Sequence, residues 1–213
     1  MKISNSDIRS RAREALGGQI FDRTWLISLA AIAIVSLVLN LASQMTCGIA
    51  TFILTGPLYV GLHAAFLRLA RRERDMEIGS IFEGCTNGFG ENVKLGIMYT
   101  LYVTLWTFLF IIPGIIKSYS YALIYYIKAD HPEYGWRECL DESERMMQGN
   151  KWRFFCLNLS FIGWSLLGSL ACGIGVLWVS PYIQASTAVF YEELKREQGY
   201  TTQTFTTESF SEQ

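Results

Sequence analysis

Apolar residues occur in long blocks along the chain, and charged segments separate these blocks. Unbroken apolar stretches of this length are typical of membrane-spanning helices, whereas the elements of a soluble protein alternate apolar and polar residues with a period of 2 or 3.6. The pattern predicts an all-α polytopic membrane protein with six transmembrane helices in three hairpins and short cytoplasmic interfacial helices. The predicted spans are 25–43, 49–67, 95–112, 115–127, 154–171 and 174–191.

The third and fourth spans come from one apolar run that is too long for a single crossing. Between Lys94 and Lys128 lie 33 residues, and Lys117 is the only charged one. A continuous helix of that length would reach roughly 50 Å, against roughly 30 Å of hydrocarbon. Pro113 and Gly114 are therefore predicted to break the run and form a tight hairpin. The alternative is a kinked helix that keeps Pro113 inside it and places Lys117 within the bundle.

Basic residues fall almost entirely on one side of the predicted spans. Lys117 is the single exception among the 18 Lys and Arg residues, and all 19 Asp and Glu residues lie on the same side as the other bases. Because Lys and Arg favour the cytoplasmic side, both termini are predicted to be cytoplasmic. Lys117 is then expected to extend its ammonium to the outer headgroups.

A pattern recurs three times along the chain. A short amphipathic segment precedes each odd-numbered span, at residues 8–16, 78–85 and 136–147, and is predicted to lie in the headgroup plane. Each even-numbered span carries a proline followed by small residues, which allow helix backbones to approach closely. These helix-break and packing residues are Pro57, Gly61, Pro113, Gly114, Pro181 and Ala185. The polar tail at 198–213 is predicted to be disordered.

Composition excludes several classes of function. The net charge of −1 gives no support for binding nucleic acid. The five cysteines have neither a CxxC spacing nor a paired histidine, so no metal site and no cofactor are predicted. No carboxylate lies in a predicted span, and no Ser/His/Asp or Cys/His group can be assembled from two histidines. The chain is therefore predicted not to be an enzyme and to have no catalytic residues.

Three polar residues within the spans are the candidate ligand-binding positions. His63 is either a proton-responsive group or a hydrogen-bonded structural histidine. Lys117 is either a ligand for an anion or lipid phosphate, or a lysine that merely reaches the interface. Gln184 is expected to hydrogen-bond carbonyls that Pro181 leaves free. Tyrosines crowd the fourth span and are interpreted as packing or interface residues: Tyr119, Tyr121, Tyr125 and Tyr126.

Several ordered motifs resemble a known family. They are "IIPGIIKSYSYALIYYIKADHPE", "GNKWRFFCLNLSFIGWSLLG", "GIGVLWVSPYIQASTAVFYEEL" and, earlier in the chain, "GPLYVGL" with "FLRLARRE". Together these look like the uncharacterised bacterial integral membrane family known as domain of unknown function 975 (DUF975), over nearly the whole chain to about Glu197. The resemblance implies a multi-pass protein of the bacterial cytoplasmic membrane, and it carries over no activity and no catalytic residues.

Two functional hypotheses remain. The first is a non-enzymatic, membrane-embedded binding or scaffold component in envelope maintenance, with the lipid bilayer and a membrane or cytoplasmic protein as its partners. The alternative is a small transporter or lipid-handling permease, because the repeated units contain proline-broken helices. The sequence leaves the ligand and the oligomeric state open.

Overall fold

The computed structural model describes residues 4–17, 23–45, 49–73, 78–109, 111–170 and 174–198. Within these ranges the regular structure is helical, which confirms the all-α prediction. Of the predicted outer turn at 44–48, residues 44–45 belong to α2 and residues 46–48 lie outside the described residues. The predicted turn at 172–173 and most of the tail at 198–213 also lie outside them. The helices are α1 (Asn5–Ala15), α2 (Arg23–Met45), α3 (Ile49–Ala70), a 3₁₀ turn (Ile78–Phe82), α4 (Glu83–Thr86), α5 (Phe89–Leu109), α6 (Ile111–Ser120), α7 (Ile124–Asp130), α8 (Trp136–Met147), α9 (Lys151–Leu170) and α10 (Ile174–Glu197).

Two of the helices are long and apolar enough to cross a membrane. These segments are Arg23–Gln44 of α2 and Ala50–Ala70 of α3, as judged over the described residues. Only 17 % of the apolar window in α2 is buried within the protein. Since α2 is apolar and yet largely uncovered, lipid is the surrounding that suits it best.

The predicted fourth span is two helices rather than one. α5 ends at Leu109 and α6 begins at Ile111, and the two helices pack against each other, so α6 already contains Pro113 and the break does not coincide with the proline. Pro113 lies in the first turn of α6, where its missing N–H leaves no helical hydrogen bond unmade. A turn at 121–123 then separates α6 from α7. The prediction of a single helix over 115–127 is therefore wrong.

A serine of α8 holds the turn between α6 and α7. The Ser143 hydroxyl donates to the Ser120 carbonyl at 2.8 Å and accepts from the Leu123 N–H at 3.3 Å. Ser143 is fully buried, so these two backbone groups are paired where water does not reach them. The hydroxyl therefore replaces hydrogen bonds that a continuous helix would have made.

Glycines bring backbone against backbone around α3, which contacts α2, α5, α7 and α10. A Cβ on Gly61 would overlap the Ile81 carbonyl oxygen, and one on Gly84 would come within 2.8 Å of the Gly61 nitrogen. A Cβ on Gly96 of α5 would come within 2.8 Å of Gly56. Gly61 thus has the close-packing role expected of it, and its partner is the segment formed by the 3₁₀ turn and α4.

The remaining predicted helix-break and packing residues differ in the environment that the structure gives them. Gly114 faces Thr107, whose Cα lies 2.6 Å from the place where a Gly114 Cβ would be, so the α5–α6 hairpin is tight. Pro57 lies inside α3 and Pro181 inside α10, and both helices continue past the proline, so the prediction that these two residues break their helices is wrong. Ala185, one turn after Pro181, is buried.

Two of the three amphipathic segments, α1 and α8, bury their apolar faces against the protein itself. Ile8 and Leu16 in the α1 segment, Ile81 in the 3₁₀ turn and Met147 in α8 are completely buried. α1 packs mainly on α10, and α8 packs on α5 and α7. Neighbouring helices thus cover the apolar faces of α1 and α8, whereas Ile78 and Phe82 in the segment at 78–85 are exposed. The position of all three segments in the headgroup plane stays a prediction.

Buried and uncovered apolar side chains lie in different parts of the bundle. The charged end, where α3, α7 and α10 finish, contains completely buried residues such as Phe66, Ile127 and Phe190. At the opposite, apolar end, large side chains are bare: Phe108 is 92 % exposed and Ile112 is 73 % exposed. Similar side chains are exposed on α2, α3, α5 and α9: Leu37, Leu41, Phe52, Leu105 and Ile162.

Replacing Gly61 by alanine tests the backbone contact at α3. The new methyl group would overlap main-chain atoms of Ile81, which cannot move like a side chain, so we expect a loss of about 1–3 kcal/mol in the free energy of unfolding. Gly163→Ala is the matched control, because a Cβ at Gly163 meets nothing within 4 Å. Alanine there should be neutral or stabilise the helix by up to about 1 kcal/mol. Unfolding in detergent micelles measures both, and equal effects would contradict the close contact.

Candidate binding cavity

An open cavity of about 630 Å³ lies among the helices, and its lining residues come from α2, α3, α5, α6, α7, α9, α10 and the turn at 121–123. This volume is in the range of small-molecule sites in proteins, roughly 300–1,000 Å³. The described residues that line it include no Asp, Glu, Lys or Arg. Its walls are aromatic and neutral polar: Tyr59, Tyr99, Tyr119, Tyr121, Tyr125 and Tyr126, with Thr51, Thr55, Thr100, Thr187, Ser118, Asn158, His63 and Gln184.

His63 reaches the cavity from α3. Its Nδ1 donates to the Tyr59 carbonyl one turn earlier, at 2.7 Å. Because a carbonyl only accepts, Nδ1 of the neutral ring carries the proton and Nε2 carries the lone pair. The ring lies edge-on to Tyr126, 4.5 Å between centroids, and 5.4 Å from the ring of Tyr125. The buried imidazole is thus fixed both by its own helix and by the tyrosines of α7.

Gln184 reaches the same cavity from α10. The Tyr126 hydroxyl donates to Gln184 Oε1 at 3.2 Å and lies 3.1 Å from the Gln184 carbonyl oxygen. Tyr126 therefore contacts both Gln184 and His63. Two of the three candidate positions identified in the sequence thus lie at one site, joined by a tyrosine that was assigned to packing.

Lys117 is not a cavity residue. Its Nζ donates to Glu144 Oε1 of α8 at 2.6 Å and lies above the rings of Trp106 and Tyr121, at 5.7 and 5.4 Å. The expectation that this ammonium reaches the outer headgroups is wrong, because the sequence placed Glu144 in a cytoplasmic loop and the two groups are in contact. A carboxylate on a neighbouring helix satisfies the charge better than a distant interface does.

The tyrosines are the part of the site that sequence reasoning missed. Tyr59 and Tyr125 stack with their centroids 5.5 Å apart, and Tyr99 meets Tyr125 edge-on at 5.8 Å. These rings come from α3, α5 and α7, so their meeting depends on how the helices cross. The one signal in the sequence was the density of tyrosine at 119–126, in a run whose other residues are mostly aliphatic.

A buried ion cluster lies at the charged end, below the cavity. Arg71, just after α3, and Lys195 of α10 both bond to the carboxylate of Asp130 at the end of α7. Glu192 accepts from Arg71 Nε at 2.8 Å, so two cations face two anions. The Tyr191 hydroxyl donates to Asp130 at 3.0 Å, and its ring stacks on Tyr126 at 5.9 Å. The cluster thus contacts the floor of the cavity through one pair of rings.

The surroundings of Asp130 favour its ionised form. Burial on its own raises the pKa of this carboxyl, but the hydrogen bond from Lys195 and the charge and hydrogen bond of Arg71 outweigh burial. The pKa of Asp130 consequently lies below its ordinary value. The pKa of Arg71 is raised, because the charges of Asp130 and Glu192 outweigh its burial.

Comparison with known proteins finds a family match for the carboxyl-terminal part of the chain. Residues 109–198 match the model of DUF975, described as a protein of unknown function. This confirms the resemblance for that part of the chain. No curated protein and no solved structure matches the sequence. The DUF975 match includes Tyr126, Asp130 and Gln184, whereas His63 and Arg71 lie before it, so both the cavity and the ion cluster join the DUF975 region to the preceding helices.

Neutralising Asp130 tests the cluster. Asp130→Asn leaves Arg71 and Lys195 without their shared anion, and removing one partner of a buried ion pair costs about 3–5 kcal/mol. Since the folded-state pKa is depressed, the carboxylate stabilises the fold above its unfolded-state pKa of about 4, and this contribution is lost as pH falls through the folded-state value.

The measurement is the free energy of unfolding between pH 7 and pH 3, in micelles, for the wild type and the variant. The wild type should have the larger free energy of unfolding at pH 7, and its difference from Asp130→Asn should decrease as the pH falls. Asp141→Asn, at an exposed position on α8, is the control and should change little at any pH. A gap that stays constant down to pH 3 would show that the charge of Asp130 is not what stabilises the fold.

Proposed function

We propose that this chain is a non-enzymatic binding protein of the bacterial cytoplasmic membrane, whose cavity takes up a small amphipathic molecule. The observation that carries the proposal is the uncharged, tyrosine-lined cavity of about 630 Å³ inside a bundle with bare apolar side chains at one end. Such a pocket offers neutral hydrogen bonds and ring faces to a ligand that also dissolves in lipid.

The membrane placement rests on the distribution of exposed side chains. Phe108 and Ile112 project from the α5–α6 hairpin, and Leu37 and Phe52 project from α2 and α3 at the same end. We propose six crossings, with the charged end and both termini in the cytoplasm and the fourth crossing built from α6 and α7. The bacterial location follows from the family resemblance.

The lining residues support binding rather than catalysis. His63 is the one imidazole there, and its Nδ1 proton is already bonded to the Tyr59 carbonyl. No acid, lysine or cysteine is among the described lining residues to act as its partner. The scaffold hypothesis is less favoured than binding, because α1 and α8 have buried their apolar faces within this chain and offer little apolar surface to another protein.

Transport is the second candidate, and one observation favours it. The turn at 121–123 interrupts the fourth predicted span at the cavity wall, dividing α6 from α7, and two other wall helices, α3 and α10, contain a proline. Discontinuous helices around a central site are a recurring feature of transporters. A permease would use the same cavity and differ only in releasing its ligand on the other side.

Labelling of single cysteines tests the topology. In a background without native cysteines, Gln44→Cys at the proposed outer turn should react with a membrane-impermeant thiol reagent on intact cells. Asp141→Cys on α8 should react only after the cells are permeabilised. Both parent residues are exposed, so access and not burial decides the result. Labelling of Asp141→Cys in intact cells would reverse the proposed orientation.

Filling the cavity tests the binding proposal. The protein released gently from its own membrane should retain a small molecule that native mass spectrometry detects. Thr100→Trp places an indole in the cavity and should reduce the retained fraction at least tenfold. Leu105→Trp is the matched control, since Leu105 lies on the same helix and is 64 % exposed. Equal retention by both variants, or none by the wild type, would contradict a binding role for the cavity.

A further inference from the structure

We propose that the cavity selects a weakly hydrated organic cation, such as an alkylammonium, and holds its charge with tyrosine faces and lone pairs. This inference rests on the proposed binding function and names the ligand class. Three independent features of the wall support it: the direction of its hydrogen bonds, the arrangement of its rings and the absence of formal charge among the lining residues.

Four of the five Ser and Thr hydroxyls in the wall donate their protons to main-chain carbonyls, whereas the buried Thr51 hydroxyl has no partner among the described residues. The hydroxyls of Thr55, Thr100 and Thr187 donate to carbonyls of their own helices, at 2.6, 2.9 and 2.9 Å. Ser118 does the same to the Ile115 carbonyl at 2.8 Å. A hydroxyl whose proton is committed can present only its oxygen lone pairs to a ligand. These four groups therefore face a ligand as acceptors.

The larger polar groups add further acceptors. His63 donates through Nδ1, and its Nε2 is left with a lone pair. Asn158 donates through Nδ2 to the Phe154 carbonyl at 2.9 Å, which leaves its amide oxygen as an acceptor and its second N–H as a donor. The tyrosine hydroxyls of the wall can both donate and accept, so they adapt to either kind of ligand. Gln184 Oε1 accepts from Tyr126, so its NH₂ group remains a donor, as does the Thr51 hydroxyl. The acceptor groups described above still outnumber these donors, which suits a positive or hydrogen-rich group.

The rings supply the second feature. Tyr125 stacks on Tyr59, meets Tyr99 edge-on and lies 5.4 Å from the ring of His63. A tyrosine face carries negative potential and attracts a cation that lies within about 6 Å of the ring centroid. Stacking covers one face of Tyr59 and one face of Tyr125, and the outer face of such a pair is the surface that we propose for the ammonium group.

The absence of charged side chains among the described lining residues determines which class of cation the cavity favours. With no carboxylate among the lining residues, the cavity has nothing to offset the desolvation of a compact, strongly hydrated ion. An alkylated ammonium spreads its charge over methyl groups and loses less hydration. Anions are disfavoured, since the described lining residues include no lysine or arginine. Lys117 is adjacent in sequence to the lining residue Ser118, but its ammonium donates to Glu144.

Three probes of one shape test the inference: benzyltrimethylammonium, its neutral carbon isostere neopentylbenzene, and the anion benzylsulfonate. Binding to the full-length protein in uncharged maltoside micelles is measured by equilibrium dialysis against empty micelles. We expect the cation to bind at least tenfold more tightly than the neutral isostere, and the anion not to bind above the micelle background.

Variants of one ring show whether the cation occupies the tyrosine cluster. Tyr125→Leu should lose at least tenfold in affinity for the cation, whereas Tyr125→Phe keeps the ring face and should stay within about threefold of the wild type. Size-exclusion chromatography reports folding. If Tyr125→Leu does not fold, the half-buried Tyr59 is replaced by Leu and Phe in the same comparison.

The outcomes separate the two proposals. Equal binding of the cation and the neutral isostere, with both lost in Thr100→Trp, overturns the cation preference and leaves the binding function standing. Cation binding that survives both Tyr125→Leu and Tyr59→Leu overturns the tyrosine site. If no probe binds and Thr100→Trp retains the native small molecule as the wild type does, both proposals fail.

Discussion

The meeting of Arg71, Asp130 and Lys195 is the interaction on which the rest of the bundle depends. Buried charges are stable only when their partners stay in place, so the ends of α3, α7 and α10 cannot separate without leaving an ion unpaired. Tyr191 and Tyr126 stack directly above this point. The ends of α3, α7 and α10 are therefore fixed at the charged end. Farther along the same helices, the side chains do not fill the space between them, and this space is the cavity.

The sequence was informative wherever a property belongs to a single segment. Long apolar blocks predicted helices, and the helices exist, because burial of backbone polar groups leaves few other structures for such residues. The break before α6 was predicted three residues late, since proline is tolerated in the first turn of a helix as well as in a hairpin. Gly61 was identified as a packing residue from its spacing to Pro57, although the spacing did not reveal that its partner is Gly84.

Properties that depend on tertiary placement could not be predicted in this way. Lys117 looked isolated because its partner Glu144 lies 27 residues on, across the turn between α7 and α8. The four tyrosines at 119–126 looked like packing residues because nothing in their own segment shows that Tyr59 and Tyr99 stand opposite. His63 and Gln184 were chosen as polar groups in apolar helices, which is a local property, and both line the cavity.

The contact between Gly61 and the segment around Ile81 and Gly84 is made by main-chain atoms. A contact of this kind fixes the path of the segment but places no demand on most of its side chains. Residues on the outer side of the 3₁₀ turn, such as Ile78 and Phe82, are exposed and can change without altering that path. Side chains in this segment can therefore be substituted while the path of the backbone stays the same. A relative of this protein could keep the same backbone here and share little recognisable sequence.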